Sequence, residues 1–69
     1  MTNTQQQFSV KELRARKNET QAETAAALGV SLTTYNLWER NISRVKVAKV
    51  KALAEHFGVS LNDIFLPTT

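Results

Sequence analysis

The stretch TQAETAAALGVSLTTYNLWE, residues 20–39, leaves this chain few folds to choose from. Glu23 follows Thr20 at the spacing where each side chain satisfies a backbone donor of the other at a helix start. Residues 22–28 are good helix formers apart from Thr24. Gly29 stands where a helix ends on a residue of positive φ, a conformation glycine adopts without steric cost. Val30 can then fold back beneath the turn, and Ser31 can cap a second helix running to Glu39. The spacing predicts two short helices joined by a tight turn.

The remainder of the chain supplies helices to pack around that pair. Residues 1–8 offer little to bury and are expected to form a flexible tail. Ser9 with Glu12 makes a second capping box, opening a first helix over residues 10–17 that faces inward through Val10, Leu13 and the stem of Lys17. Residues 41–43 read as a loop in which Asn41 can take the left-handed conformation that ends a helix. A fourth helix is predicted over residues 47–57, with Val47, Val50, Leu53, Ala54 and Phe57 along one face and Gly58 at its end. Ser60 and Asp63 open a short fifth helix with Leu61, Ile64 and Phe65 as its apolar side, and Pro67 stops it. Alternating runs and hairpin dipeptides are lacking. The expectation is an all-α domain of five short helices over residues 9–66, with residues 67–69 as a C-terminal tail. The recurrence of GVSL at 29–32 and 58–61 reads as the same stop-and-start chemistry used twice, not as an internal repeat.

At 69 residues the chain holds one small domain. A domain of this size buries only about 60% of its unfolded surface, so its core is modest. With no cysteine, neither disulfides nor thiolate metal sites supplement it. The opening MTNTQQQ lacks the basic start and apolar run of a signal peptide, and no segment nears the roughly 20 apolar residues that cross a bilayer. A cytoplasmic protein without membrane contact is expected. His56 is the single histidine and the carboxylates are scattered, so no catalytic residues, metal site or cofactor are expected.

Charge is distributed unevenly. The net charge is +3, and Arg40, Arg44, Lys46, Lys49 and Lys51 occupy residues 40–51 with no acidic residue among them. Lys11, Arg14, Arg16 and Lys17 enrich the first helix, whereas residues 24–38 carry no charge. Two basic segments flanking a neutral one suit phosphates on either side of a read surface.

Taken together, VKELRARK, TQAE, ALGVS, WER and LAEHFGVSLNDIF resemble, in order and spacing, the Cro/repressor-type (XRE-type) helix-turn-helix family of phage and bacterial regulators. The resemblance covers residues 10–65 and implies a lambda-repressor-like DNA-binding domain whose third helix enters the major groove. It implies base reading by Leu32, Thr33, Thr34, Asn36 and Leu37, with Tyr35 and Trp38 turned inward. Gln21 is placed to contact a phosphate at the start of the second helix. Arg40, Arg44 and Lys46 follow the reading helix as further backbone contacts. Glu39 is expected to cap or to pair with a cation, and Lys49 and Lys51 to face solvent.

Departures from the family pattern carry information. Leu32 and Leu37 stand where many relatives have Arg, Lys or Gln, so arginine pairing with guanine is unavailable from this face. Asn36 on an adenine edge and leucines on thymine methyls make an A/T-rich operator the expectation. Thr24 replaces a usual buried Leu and Tyr35 a usual Ile or Val, a swap in which the ring fills space left by the smaller residue. Val45 and Asn41 stand where relatives often carry Pro and Gly. The implied function is a sequence-specific transcriptional regulator, a small repressor acting by operator occupancy as a homodimer on double-stranded DNA. Leu61, Phe65 and Leu66 are the candidate dimer surface, their alternative role being completion of the monomer core. No small-molecule ligand is expected. The competing reading is an antitoxin- or antirepressor-like interaction module that uses the apolar outer face of the third helix to bind another regulator.

Overall fold

The computed structural model describes residues 7–64. Four α-helices, α1 (Val10–Arg16), α2 (Gln21–Leu28), α3 (Leu32–Arg40) and α4 (Val47–Phe57), are joined by short connections and two 3₁₀ turns, Ile42–Arg44 and Leu61–Asp63. The predicted fifth helix is therefore a single 3₁₀ turn. Asp63 N–H donates to the Ser60 carbonyl at 3.0 Å and Ile64 N–H to that of Leu61 at 3.2 Å, bonds that close over three residues.

Capping explains where the helices lie. Ser9 Oγ accepts from Glu12 N–H at 3.1 Å while Glu12 Oε1 accepts from Ser9 N–H at 2.8 Å. Thr20 and Glu23 repeat the arrangement at α2 with the same two distances. Three of the helices end alike: a residue just beyond the helix has positive φ, and the next N–H reaches back five residues. Val30 N–H bonds the Ala25 carbonyl past Gly29 (φ 73°), and Val59 N–H bonds the Ala54 carbonyl past Gly58 (φ 72°). At α1 the residue is Asn18 (φ 61°), followed by Glu19 N–H to the Arg14 carbonyl. Asn41, expected to take that conformation, does not: its φ is −149°. Its carbonyl accepts from Arg44 and its side chain accepts from the Ser43 hydroxyl at 2.6 Å, so the chain leaves α3 extended and turns inward at Ile42.

The core gathers Val10, Leu13, Ala25, Tyr35, Ile42, Val50, Leu53, Ala54 and Ile64. Tyr35 and Thr24 are both fully enclosed, so the ring is inside as the swap requires. Val47, predicted to face inward, is 70% exposed, because it occupies the first position of α4, ahead of the turn that meets the core. Ile42 belongs to a stretch that reads as loop and is buried instead.

Phe8 also departs from its assignment to the tail. Its N–H donates to the Asp63 carbonyl at 2.8 Å, it pairs in parallel with Ile64, and Arg16 lies 4.3 Å above its ring. The expectations for residues 1–6, for Phe65 and Leu66, and for residues 67–69 fall outside the described residues.

Candidate nucleic-acid interface

α3 is divided lengthwise by what its neighbours cover. Tyr35 is enclosed, and Trp38 packs on the core with its ring edge-to-face against Tyr35 at 6.3 Å. On the opposite side Leu32 is 49% and Leu37 54% exposed, with Thr33 exposed beside them. Thr34 and Asn36 sit at the boundary, half-buried. Ser31 accounts for the helix start. Its Oγ accepts from Thr34 N–H and donates to the Thr34 hydroxyl, both at 3.0 Å, drawing Thr34 toward the turn.

One carboxylate holds this helix in place. Glu39 comes from the inner side of α3, and its side chain is 6% exposed. Arg14 Nε of α1 donates to Glu39 Oε2 at 2.6 Å, and the Tyr35 hydroxyl donates to the same oxygen at 2.6 Å. Gln21 Nε2 of α2 donates to Oε1 at 3.0 Å, and Arg14 Nη2 completes the set at 3.4 Å. Arg14 also ties down the connection to α2, donating through Nη1 to the Glu19 carbonyl at 2.9 Å. Three helices thus meet at one anion with every buried polar group of the described side chains satisfied.

Protonation is governed by these contacts. Burial pushes the Glu39 carboxyl up, but hydrogen bonds from Arg14, Tyr35 and Gln21 outweigh it and hold the group below the usual carboxylate range. Burial, reinforced by the bond to Glu39, raises the Tyr35 phenol well above its ordinary value. The bond to Glu39 raises Arg14 further. A second, smaller cluster joins α4 to the connection between α1 and α2. Thr24 Oγ1 donates to Glu19 Oε1 at 2.7 Å, and His56 Nε2 lies 2.8 Å from that oxygen. The bond from Thr24, and after it that from His56, lowers the Glu19 carboxyl.

The polarity of the main network propagates outward. A carboxylate only accepts, so Gln21 must turn its amide nitrogen to Glu39 and its oxygen away. That oxygen accepts from Asn36 Nδ2 at 3.2 Å. Asn36 is left with its own carbonyl oxygen and one N–H to offer elsewhere. One Gln21 N–H remains as well, so the residue expected to meet a phosphate is also a brace for α3.

The remaining predicted positions divide into two groups. Arg40 ends α3, Arg44 and Lys46 follow it, and Arg40 and Arg44 border a groove beside Trp38 together with Thr34 and Leu37. Leu61 is 37% exposed, lies after α4 and does not line that groove. Arg14 and the Tyr35 hydroxyl are absent from the site that the sequence suggests. The available signal is Glu39 itself, a carboxylate ending a neutral stretch otherwise suited to face DNA. Among the described residues no cluster of His, Cys, Asp and Glu could hold a metal, and no helix is long and apolar enough to cross a membrane.

Compared with known proteins, residues 10–64 match a family model described as helix-turn-helix (HTH_3). No curated protein and no solved structure matches the chain.

Proposed function

The chain belongs to the XRE-type helix-turn-helix family of DNA-binding transcription regulators, and from that premise we propose that it is a small repressor acting by operator occupancy. The observation that carries this reading is the two-sided construction of α3. Its inner side is anchored through Tyr35 and Glu39 to two other helices, while Leu32, Thr33 and Leu37 stand exposed, Leu37 beside Arg40 and Arg44. A helix so held presents its outer side in a defined register to the major groove.

Each role rests on the chemistry of that surface. Asn36 offers a carbonyl oxygen to the exocyclic amine of adenine and its remaining N–H to N7. Leu32 and Leu37 pack on thymine methyls, and Thr33 and Thr34 bond a base edge or the sugar-phosphate wall. These contacts favour A/T-rich sites. Gln21, at the start of α2, meets a phosphate with its remaining amide hydrogen and the backbone donors of the first helical turn. Arg40, Arg44 and Lys46 neutralise phosphates beyond it. One domain covers little DNA, so it works as a homodimer on two half-sites about 34 Å apart, with Leu61, Phe65 and Leu66 at the junction. Its place is the cytoplasm, and its effect is exclusion of polymerase from an overlapping promoter.

The test is selection from a randomised duplex library with the purified protein. The expected result is a two-fold, A/T-rich motif with half-site centres about ten base pairs apart. Asn36→Ala is expected to relax one position of that motif, at a cost of about 1–3 kcal/mol against the wrong base. Binding should weaken with salt by about 0.9 log units per log unit for each neutralised phosphate. Recovery of no motif by folded protein would overturn the reading in favour of the protein-interaction module, which the exposure of Leu32 and Leu37 supports.

A further inference from the structure

A groove of about 470 Å³ lies where α3 gives way to the Ile42–Arg44 turn, open to solvent along one side. Leu37, Trp38 and Val45 make its surface mostly apolar, Arg40 and Arg44 bring two cations to it, and Thr34 and Asn41 add polar atoms. Leu37 is more than half exposed. Neither arginine has a carboxylate within 4.0 Å among the described residues. The adjacent carboxylate, Glu39, is turned inward to Arg14, and no acidic residue occurs between Arg40 and Lys51. The groove therefore combines wet apolar surface with uncompensated positive charge.

These two properties restrict the occupant. A phosphate backbone answers the arginines, and a thymine methyl can cover Leu37, but both leave Trp38 and Val45 in water. A purely apolar segment covers those residues and gives the arginines nothing. Enclosed ligand sites bury about 70–90% of a small molecule's surface, which a groove open along one side does not do. A peptide needs only to seat one side chain, its backbone staying outside. We propose that this groove docks an acidic peptide segment of a partner protein. A bulky apolar side chain lies against Leu37 and Trp38, and flanking carboxylates pair with Arg40 and Arg44. Because Thr34, Leu37, Arg40 and Arg44 also belong to the proposed DNA surface, the peptide and the operator exclude one another. The exclusion rests on that reading of α3, whereas the docking itself does not.

The probe is a phage-displayed library of random dodecapeptides, selected on the folded full chain, with enriched peptides resynthesised and measured by fluorescence anisotropy. The expected consensus is Trp, Phe or Leu flanked by Asp or Glu. The double variant Arg40→Glu/Arg44→Glu is expected to lower affinity by at least about tenfold, and Leu37→Glu similarly, since each removes one half of the complementarity. The double variant Lys49→Glu/Lys51→Glu, with the same change in net charge, is expected to alter affinity by less than about twofold. Circular dichroism of each variant confirms that helix is retained. Enrichment of no acidic-apolar motif overturns the docking proposal, and so does an equal loss in the lysine variant, which marks nonspecific charge attraction. Displacement of a selected duplex by the peptide supports the exclusion, and simultaneous binding of both overturns it. The two readings fail separately. An operator without a peptide sinks only the docking, and a peptide without an operator sinks only the DNA reading.

Discussion

Gly-Val-Ser-Leu occurs twice in this chain, at 29–32 and 58–61, and the two copies begin alike and end differently. Both glycines stop a helix at nearly the same φ, and both valines reach back to a buried alanine's carbonyl. After Ser31 the chain forms nine residues of α-helix, and Tyr35 N–H bonds the Ser31 carbonyl at 3.0 Å. After Ser60 it closes one 3₁₀ turn and then runs extended through Ile64. Local chemistry starts a helix at both places. The residues beyond each serine decide whether it propagates. Past Ser31, Tyr35, Trp38 and Glu39 recur at helical spacing, two with apolar rings and one with a buried anion to satisfy. Past Ser60, Ile64 is drawn into the core, 1% exposed, and pairs with Phe8, which extended chain permits.

The largest effect should come from removing the group that sustains the first copy. Glu39→Ala leaves Arg14 without its partner in a site where the arginine side chain is only 16% exposed. Breaking such a pair costs about 3–5 kcal/mol, readable as a lower midpoint in urea unfolding. The same carboxylate sets an acid limb. Folding lowers its pKa, so the unfolded chain binds more protons between the folded and unfolded values. Its stabilisation is complete above the ordinary carboxylate range, near about pH 4, and is lost as pH falls through the lowered value. Glu19, also lowered, adds a limb of the same sign. Glu39→Gln is expected to flatten the acid dependence. A profile as steep as that of the unaltered protein would show that the anion does not hold α3.

The second copy should break through its apolar anchor. Ile64→Ala is expected to cost about 2–5 kcal/mol in the same measurement, because it opens a cavity between the Phe8 segment and α4. A loss under about 1 kcal/mol would mean that the backbone pairing alone closes this end. The two anchors are not equally visible in the sequence. Ile64 stands out as an inward residue, and the caps at Ser9, Thr20, Ser31, Gly29 and Gly58 are legible because each depends on neighbours a few residues away. The Glu39 network is not, since its partners on α2 and α1 lie 18 and 25 positions distant and only the packed helices bring them together. Ile42 is hidden in a polar stretch for want of periodicity, and Phe8 because its partner is at the far end of the chain. On the exposed side of α3 the pattern suffices: Leu32, Thr33 and Leu37 are outward as their spacing requires. Asn36 requires the structure, because a brace from Gln21 is a tertiary contact.

Smaller changes at the glycines sharpen the likeness. An added Cβ meets nothing within 4 Å at either Gly29 or Gly58, so only the left-handed backbone penalises alanine. Gly29→Ala and Gly58→Ala should each cost about 1–2 kcal/mol and agree within about 0.5 kcal/mol. Unequal thermal midpoints would show that the two turns differ in strain despite matching φ.

The smallest effect isolates the difference beyond those turns. Ser31 Oγ accepts from the Thr34 N–H, an orphan donor in the first turn of a real helix. At Ser60 the hydroxyl donates to Asp63 Oδ2 at 3.1 Å, and the Asp63 N–H is satisfied by the Ser60 carbonyl. The Ser60 N–H keeps its own 3.1 Å bond to that carboxylate after the hydroxyl is removed. Ser31→Ala is therefore expected to cost about 1 kcal/mol and Ser60→Ala only about 0.3 kcal/mol. Paired urea titrations resolve the two. Equal losses would mean that Ser60 caps as Ser31 does, and that the second copy is an α-helix cut short, not a turn of another kind.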